Sequence, residues 1–210
     1  DLPLNEGALK DVKLIFSENS MFNPKHPAPV VAGNVETSQT LIDVLNGAIS
    51  LQAACYGTMS NLTFGNKNFG YYETICGGEG ASLGYNGTDA VHCHMTNTSI
   101  TDAEILEWNY PVRLIRFTIR KNSKGLGRWN GGNGSIREIE FLKSLEVTIL
   151  SNRRKISPFG INGGGKGKKG RNYLKQDKIT DILPSSCQLK VKKGNSIIIS
   201  TPGGGGFNKS

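Results

Sequence analysis

The run Arg113-Leu-Ile-Arg-Phe-Thr-Ile-Arg120 sets Leu114, Arg116 and Thr118 on one side and Ile115, Phe117 and Ile119 on the other. That period of two belongs to a β-strand, whose successive side chains point to opposite faces. Towards the C-terminus residues 136–141 alternate in the same way, and residues 145–150 and 196–200 read as further strands. Towards the N-terminus residues 71–76 read as a strand and residues 12–16 as a short one. Thr101-x-x-Glu104 is a capping box that opens a short helix through Trp108, closed before Pro111. Residues 37–56 carry a different rhythm. Leu41, Val44, Leu45, Ala48, Leu51 and Cys55 recur at three- and four-residue steps, which predicts a long helix with one apolar face. Thr37 or Ser38 would cap its start, and Gly57 would stop it. The expected class is α+β: a long helix with mixed strands in the first half, and mainly antiparallel β-structure in the second. Residues 1–210 are expected to form one unit, faintly subdivided near residue 111.

Composition narrows the classes further. The 210 residues are 37% hydrophobic and 20% charged, too apolar for intrinsic disorder. Glycine supplies 27 residues, near twice the ordinary share of roughly 7%. They have no three-residue period and sit in clusters, which implies tight turns and close backbone approaches. No apolar run is long enough for a membrane span. The opening residues show no basic flank before an apolar stretch, and Cys55, Cys76, Cys93 and Cys187 form no close pair. Reduced thiols in a cytoplasmic protein are therefore expected.

The net charge of +8 is local. Between residues 151 and 180 stand Arg153, Arg154, Lys155, Lys166, Lys168, Lys169, Arg171, Lys175 and Lys178, against Asp177 alone. Such a patch suits an anion or an acidic partner. Phe159 and Tyr173 are its sole aromatics, few for stacking bases, so nucleic acid is an unfavoured partner. Gly163-Gly-Gly-Lys-Gly-Lys-Lys169 is not a phosphate loop. Asn162 stands where the first glycine belongs, and Lys169 where a magnesium-binding hydroxyl should be.

His92-Cys93-His94 is the one close cluster of metal-capable side chains. If the segment is extended, both imidazoles project to the same side. Two ligands do not close a zinc or manganese site, and nothing in the sequence brings the chemically suitable Asp89 or Glu73 to them. No metal or cofactor is therefore expected on this chain. Residues 33–39 lead into the long helix with a dense polar run, and Thr96-Asn97-Thr98 follows the histidines directly.

These segments together resemble the hydantoinase B/5-oxoprolinase family. The resemblance runs through Ala28-Pro-Val-Val-Ala-Gly-Asn-Val-Glu-Thr-Ser-Gln39, Gly57-Thr-Met-Ser-Asn-Leu-Thr-Phe-Gly65 and Tyr71-Tyr-Glu-Thr-Ile-Cys-Gly-Gly78. It continues through His92-Cys-His-Met-Thr-Asn-Thr98, Tyr110-Pro-Val-Arg113, Gly127-Arg-Trp-Asn-Gly-Gly-Asn-Gly134, Ile149-Leu-Ser-Asn-Arg-Arg154 and Thr201-Pro-Gly-Gly-Gly-Gly206. Even the opening Pro3-Leu-Asn-Glu-Gly-Ala8 fits.

The resemblance implies ATP-dependent opening of a cyclic amide such as 5-oxoproline or a hydantoin. An A-type ATPase subunit would bind ATP and magnesium and phosphorylate the substrate, and the B-type part would complete hydrolysis. It implies His92 and His94 as catalytic groups, with Asn34, Glu73, Thr96 and Asn97 around the substrate. The chain corresponds to the C-terminal portion of a B-type subunit. An upstream B-type fragment is thus an expected partner, the expected home of any divalent metal, and a requirement for activity. The alternatives are a folded remnant without activity, and an anion- or nucleic-acid-binding module built on residues 153–178.

Overall fold

The structure, a computed structural model, describes residues 7, 10, 12–31, 33–177 and 179–209. It divides into two compact units, Asp1–Val31 and Ala32–Ser210. In the first, residues 12–16 form no strand, and Val12, Leu14, Ile15 and Phe16 are exposed. The strand expected there is absent: five residues with no pairing neighbour leave their backbone groups to water. The opening segment of the resemblance, residues 3–8, lies outside the described residues except for Gly7.

The second unit is α+β. Its elements run α1 (Gly33–Ala48), β1 (Asn61–Asn66), β2 (Phe69–Glu73), α2 (Ala103–Asn109), β3 (Val112–Arg120), β4 (Gly134–Phe141), β5 (Leu145–Leu150), β6 (Arg171–Gln176), β7 (Ile179–Leu183), β8 (Ser186–Val191) and β9 (Ser196–Ser200). Two antiparallel sheets form, ordered β2-β1-β5-β8 and β3-β4-β9-β6-β7. One apolar core joins them: Leu62, Phe64, Val147 and Ile149 from the first, with Ile139, Phe141, Ile197 and Ile199 from the second. That core takes residues from both sides of position 111. β5 shows the reason most plainly, since Leu145, Val147 and Ile149 are buried while Glu146 and Thr148 are exposed. The capping residue of α2 is Asp102, not Thr101. Its carboxylate accepts from the amides of Glu104 and Ile105.

The founding strand β3 keeps its period but not its simple face. A register shift between Leu114 and Arg116 interrupts its pairing with β4. Leu114 packs on the core, while Ile115, Phe117 and Ile119 stay 39–48% exposed along this edge strand.

The glycines build a layer that is neither helix nor sheet. The amides of Gly203, Gly204, Gly205 and Gly206 donate in turn to the carbonyls of Lys168, Gly132, Ala54 and Gly165. A sheet strand has two neighbours, whereas this segment meets a different stretch of the polypeptide at each residue. Carbonyls occupy the space where side chains would stand. A Cβ on Gly204 would lie 1.8 Å from the Glu79 oxygen. The clustered glycines of the sequence are the residues that permit this approach.

Helix α1 departs furthest from expectation. It spans Gly33–Ala48, not residues 37–56, and Gln52, Ala53, Ala54, Cys55 and Tyr56 run on beyond it as buried non-helical chain. The face it buries is polar: Glu36, Gln39 and Asp43. Val44, Leu45 and Leu51, from the predicted apolar face, are more than half exposed. The buried stripe is stable there because loops supply hydrogen-bond partners to Glu36 Oε1, Gln39 and Asp43, while Glu36 Oε2 is buried without one.

Candidate functional site

The polar stripe of α1 organises the site. Steps of three and four residues put Glu36, Gln39 and Asp43 on one side of the helix. Glu36 Oε1 accepts from the Met59 amide and from Asn61 Nδ2, both at 2.8 Å. Burial pushes this carboxyl above the usual range, against the pull of those hydrogen bonds. Gln39 holds the histidine segment. Its Nε2 donates to the Cys93 carbonyl at 3.0 Å and to Thr96 Oγ1, and its Oε1 accepts from the Met95 amide at 3.3 Å. These three bonds clamp a turn in which His94 takes a left-handed φ of 55°. Such a backbone costs a non-glycine residue about 1–3 kcal/mol and persists where its surroundings dictate it. The segment is therefore not extended through His94, and the expected side-by-side projection of the two imidazoles ends at Cys93.

Asp43, 1% exposed, sits at the centre. Its Oδ1 accepts from the Cys55 amide at 2.9 Å, and its Oδ2 takes Arg153 Nη2 at 2.9 Å. His94 Nε2 lies 3.5 Å from Asp43 Oδ1, buried and without a hydrogen bond. One ligand-capable atom from each of Asp43, Cys55 and His94 lies within 4.8 Å of the other two. Burial works against charge on His94, but Asp43 and the Cys55 sulfur outweigh it and raise its pKa. The Cys55 thiol is itself raised well above its ordinary value by the neighbouring Cys93 thiol and by burial. Gly57 makes the approach feasible, because a Cβ there would meet Arg153 Nε at 2.5 Å and Asp43 Oδ2 at 2.6 Å.

The other expected site residues distribute unevenly. His92 has both ring nitrogens buried with no hydrogen-bond partner, and burial lowers its pKa. Thr96 joins the cluster through Gln39. Asn34 and Asn97 are exposed. Glu73, on β2, grips Arg137 by two bonds of 2.7 and 3.0 Å and accepts the Tyr71 hydroxyl at 2.8 Å. Asp89 binds the Asn133 amide at 2.6 Å, away from any metal cluster among the described residues. Sequence reasoning missed Asp43, Cys55, Gln39 and Arg153. For the helix residues a signal existed in the polar spacing of positions 36, 39 and 43, which the apolar pattern overshadowed.

The basic run dissolves in part. Arg153 is spent on Asp43, Arg154 is held by Asn172 Oδ1 at 2.8 Å and the Asn152 carbonyl at 2.8 Å, and Lys175 pairs with Glu138 at 3.1 Å. Lys166 and Lys168 join Lys124 around a surface cavity of about 470 Å³. Lys178 lies outside the described residues.

Replacing Gln39 with leucine removes all three clamps while keeping the bulk. Unsatisfied buried groups cost about 1–3 kcal/mol each, so a loss of roughly 2–4 kcal/mol is expected in a urea titration. A loss under about 0.5 kcal/mol, the size of an ordinary surface change, would contradict the clamp.

Two antiparallel sheets around one core, a glycine-built layer, and a buried carboxylate, thiol and imidazole gathered at one helix define an α+β unit with a built polar centre. Residues 1–210 match the hydantoinase B/oxoprolinase family throughout, and the chain belongs to that family. It is 50% identical to 5-oxoprolinase 1 of Arabidopsis thaliana and 45% identical to 5-oxoprolinase of Dictyostelium discoideum, in each case over 100% of this chain. It spans only 17% of the length of either. The ATP-dependent caprolactamase of Pseudomonas jessenii shares the fold, with a TM-score of 0.71 at 23% identity over 89% of this chain and 36% of that one. Among the described residues, no helix is long and apolar enough to cross a membrane.

Proposed function

We propose that this chain is the C-terminal portion of a B-type unit that opens a cyclic amide, 5-oxoproline or a hydantoin, after an A-type ATPase has phosphorylated the amide oxygen. The observation that carries the reading is the match of the whole chain to two 5-oxoprolinases at 45–50% identity. Amide carbonyls are poor electrophiles. Phosphorylation by ATP yields an imidate phosphate; a first water adds at the former carbonyl carbon, the carbon–nitrogen bond breaks as the nitrogen is protonated to leave an acyl phosphate, and a second water releases phosphate and the free carboxylate. The residues of this chain would orient that ring and handle the proton of the attacking water. His92 is the group we assign as base, because both its nitrogens are free of protein partners. Thr96 is the substrate contact best supported by placement, fixed by Gln39 next to the histidine turn. Exposed Asn34 and Asn97 are proposed as rim contacts.

The remaining B-type sequence and the ATPase complete the machine, on the same polypeptide or on separate ones, in the cytoplasm. The chain alone should not turn over substrate. Combined with both parts, it should release ring-opened product only with ATP. His92→Ala in that assembly should lower kcat by roughly 10²–10⁴-fold, the usual contribution of a proton-transfer group. Phosphorylated substrate should still form. Undiminished kcat in the variant would remove His92 from the chemistry. No turnover by the complete parent assembly would favour the inactive remnant.

A further inference from the structure

The geometry points to a zinc-class metal site formed by Asp43, Cys55 and His94. Three observations converge. The carboxylate oxygen, the sulfur and the imidazole nitrogen come from helix α1, the buried chain after it, and the histidine turn, yet lie within 4.8 Å of one another. A zinc tetrahedron with bonds of about 2.0–2.3 Å has edges of roughly 3.3–3.8 Å, and the 3.5 Å between His94 Nε2 and Asp43 Oδ1 falls in that range. His94 Nε2 is also buried and makes no hydrogen bond, meeting Asp43 only at the ion-pair distance, so its nitrogen would be better satisfied by a metal ion.

The surroundings resemble an outer shell. Gly80 donates its amide to Cys55 Sγ at 3.2 Å, an arrangement that favours thiolate. The Cys55 amide and Arg153 fix the carboxylate, and Gln39 fixes the backbone on both sides of His94. Arg153 is the opposing consideration, since its guanidinium lies 2.9 Å from Asp43 Oδ2 and repels a second cation. The Cys55 thiolate offsets that charge on ion binding, and it also selects the metal. Sulfur with imidazole suits zinc, whereas magnesium and manganese prefer all-oxygen sets. Three protein ligands leave one tetrahedral position, the pattern that holds water in zinc hydrolases. On the ring-opening reading that water would be the attacking one, but the site itself rests on geometry alone.

The test is metal analysis of the purified 210-residue chain, without ATPase or cyclic amide, so that it stands or falls apart from ring opening. Zinc should be retained at roughly one ion per chain after dialysis. Cobalt(II) replacement should produce a thiolate-to-metal charge-transfer band in the near ultraviolet together with visible bands of tetrahedral intensity. Cys55→Ser should erase the charge-transfer band, and Cys187→Ser, on β8, should preserve it. His94→Gln should weaken zinc binding beyond the roughly 10–100-fold typical of an outer-shell change. Circular dichroism of each variant checks that it is folded. A folded parent that retains no zinc and gives no charge-transfer band would overturn the inference. So would a folded Cys55→Ser chain whose cobalt spectrum matches that of the parent.

Discussion

Gly204→Ala is expected to abolish stable folding of the chain. The added methyl would stand 1.8 Å from the Glu79 oxygen, 2.3 Å from its carbon and 2.8 Å from the Gly80 nitrogen. All three are backbone atoms, so no side chain can rotate away. Relief requires the 203–206 segment to part from residues 79–80, which strains the Gly204 amide's bond to the Gly132 carbonyl at 2.9 Å. Overpacking a well-filled core ordinarily costs about 1–3 kcal/mol by side-chain adjustment. With backbone on both sides of the contact, more than about 3 kcal/mol is expected, a large share of the roughly 5–15 kcal/mol that keeps a domain folded. Gly33→Ala is the control, because nothing lies within 4 Å of its Cβ position at the start of α1. Thermal unfolding should show loss of the transition in the first variant and a shift of a few degrees at most in the second. A Gly204→Ala chain with the parent's Tm would mean that the glycine layer is looser than described.

Glu73→Gln is expected to be the second most damaging single change. Arg137 is 1% exposed and the Glu73 carboxylate 4%, so neither charge has water to fall back on. The pair is bidentate, and Phe117 covers the guanidinium at 5.3 Å. Removing one partner of a buried pair leaves the other charge uncompensated, at about 3–5 kcal/mol. Exchanging both for apolar residues, Glu73→Leu with Arg137→Met, should recover much of that loss, because the stranded charge goes too. Urea titration of the two variants decides the point. A Glu73→Gln chain with unaltered stability but impaired turnover in the assembled enzyme would instead make Glu73 a substrate ligand. Tyr71 points to the structural role as well, its hydroxyl closing the remaining side of the carboxylate at 2.8 Å.

The sheets were readable because their chemistry is short-range. In β4, β5 and β9 the apolar residues that alternate or cluster along the chain are those that enter the core, as Ile139, Val147 and Ile197 do. β1, in a stretch that reads as a turn region over residues 61–70, went unread, and so did β6, β7 and β8. Arg171-Asn-Tyr-Leu-Lys-Gln176 sets polar residues on both faces, Arg171 and Lys175 beside Tyr173 on one and Asn172 and Gln176 beside Leu174 on the other, and every residue from Ile179 to Ile182 on β7 is exposed. Their strand state comes from hydrogen bonds to neighbours already in place, β9 for β6 and β5 for β8.

The polar centre followed another rule. Hydrophobic period assigns a helix its buried face only when water is the alternative to the core. For α1 the alternative was a set of loops bearing donors and acceptors matched to Glu36, Gln39 and Asp43: the chain that follows the helix supplies the Cys55 and Met59 amides, and the histidine turn, more than fifty positions on, supplies the partners of Gln39. The pairing of Asp43 with Arg153, 110 positions away, has no local trace.

From the order of residues alone came the family, the α+β class, the strands with apolar alternation and the histidine segment as the place to look. Folding in three dimensions added the companions of His94, the ion pairs of Glu73 with Arg137 and of Arg153 with Asp43, and the purpose of the glycines. The division has one cause. Periodicity records how each segment meets solvent, whereas a buried polar group is stabilised by whichever distant atom completes its hydrogen bonds.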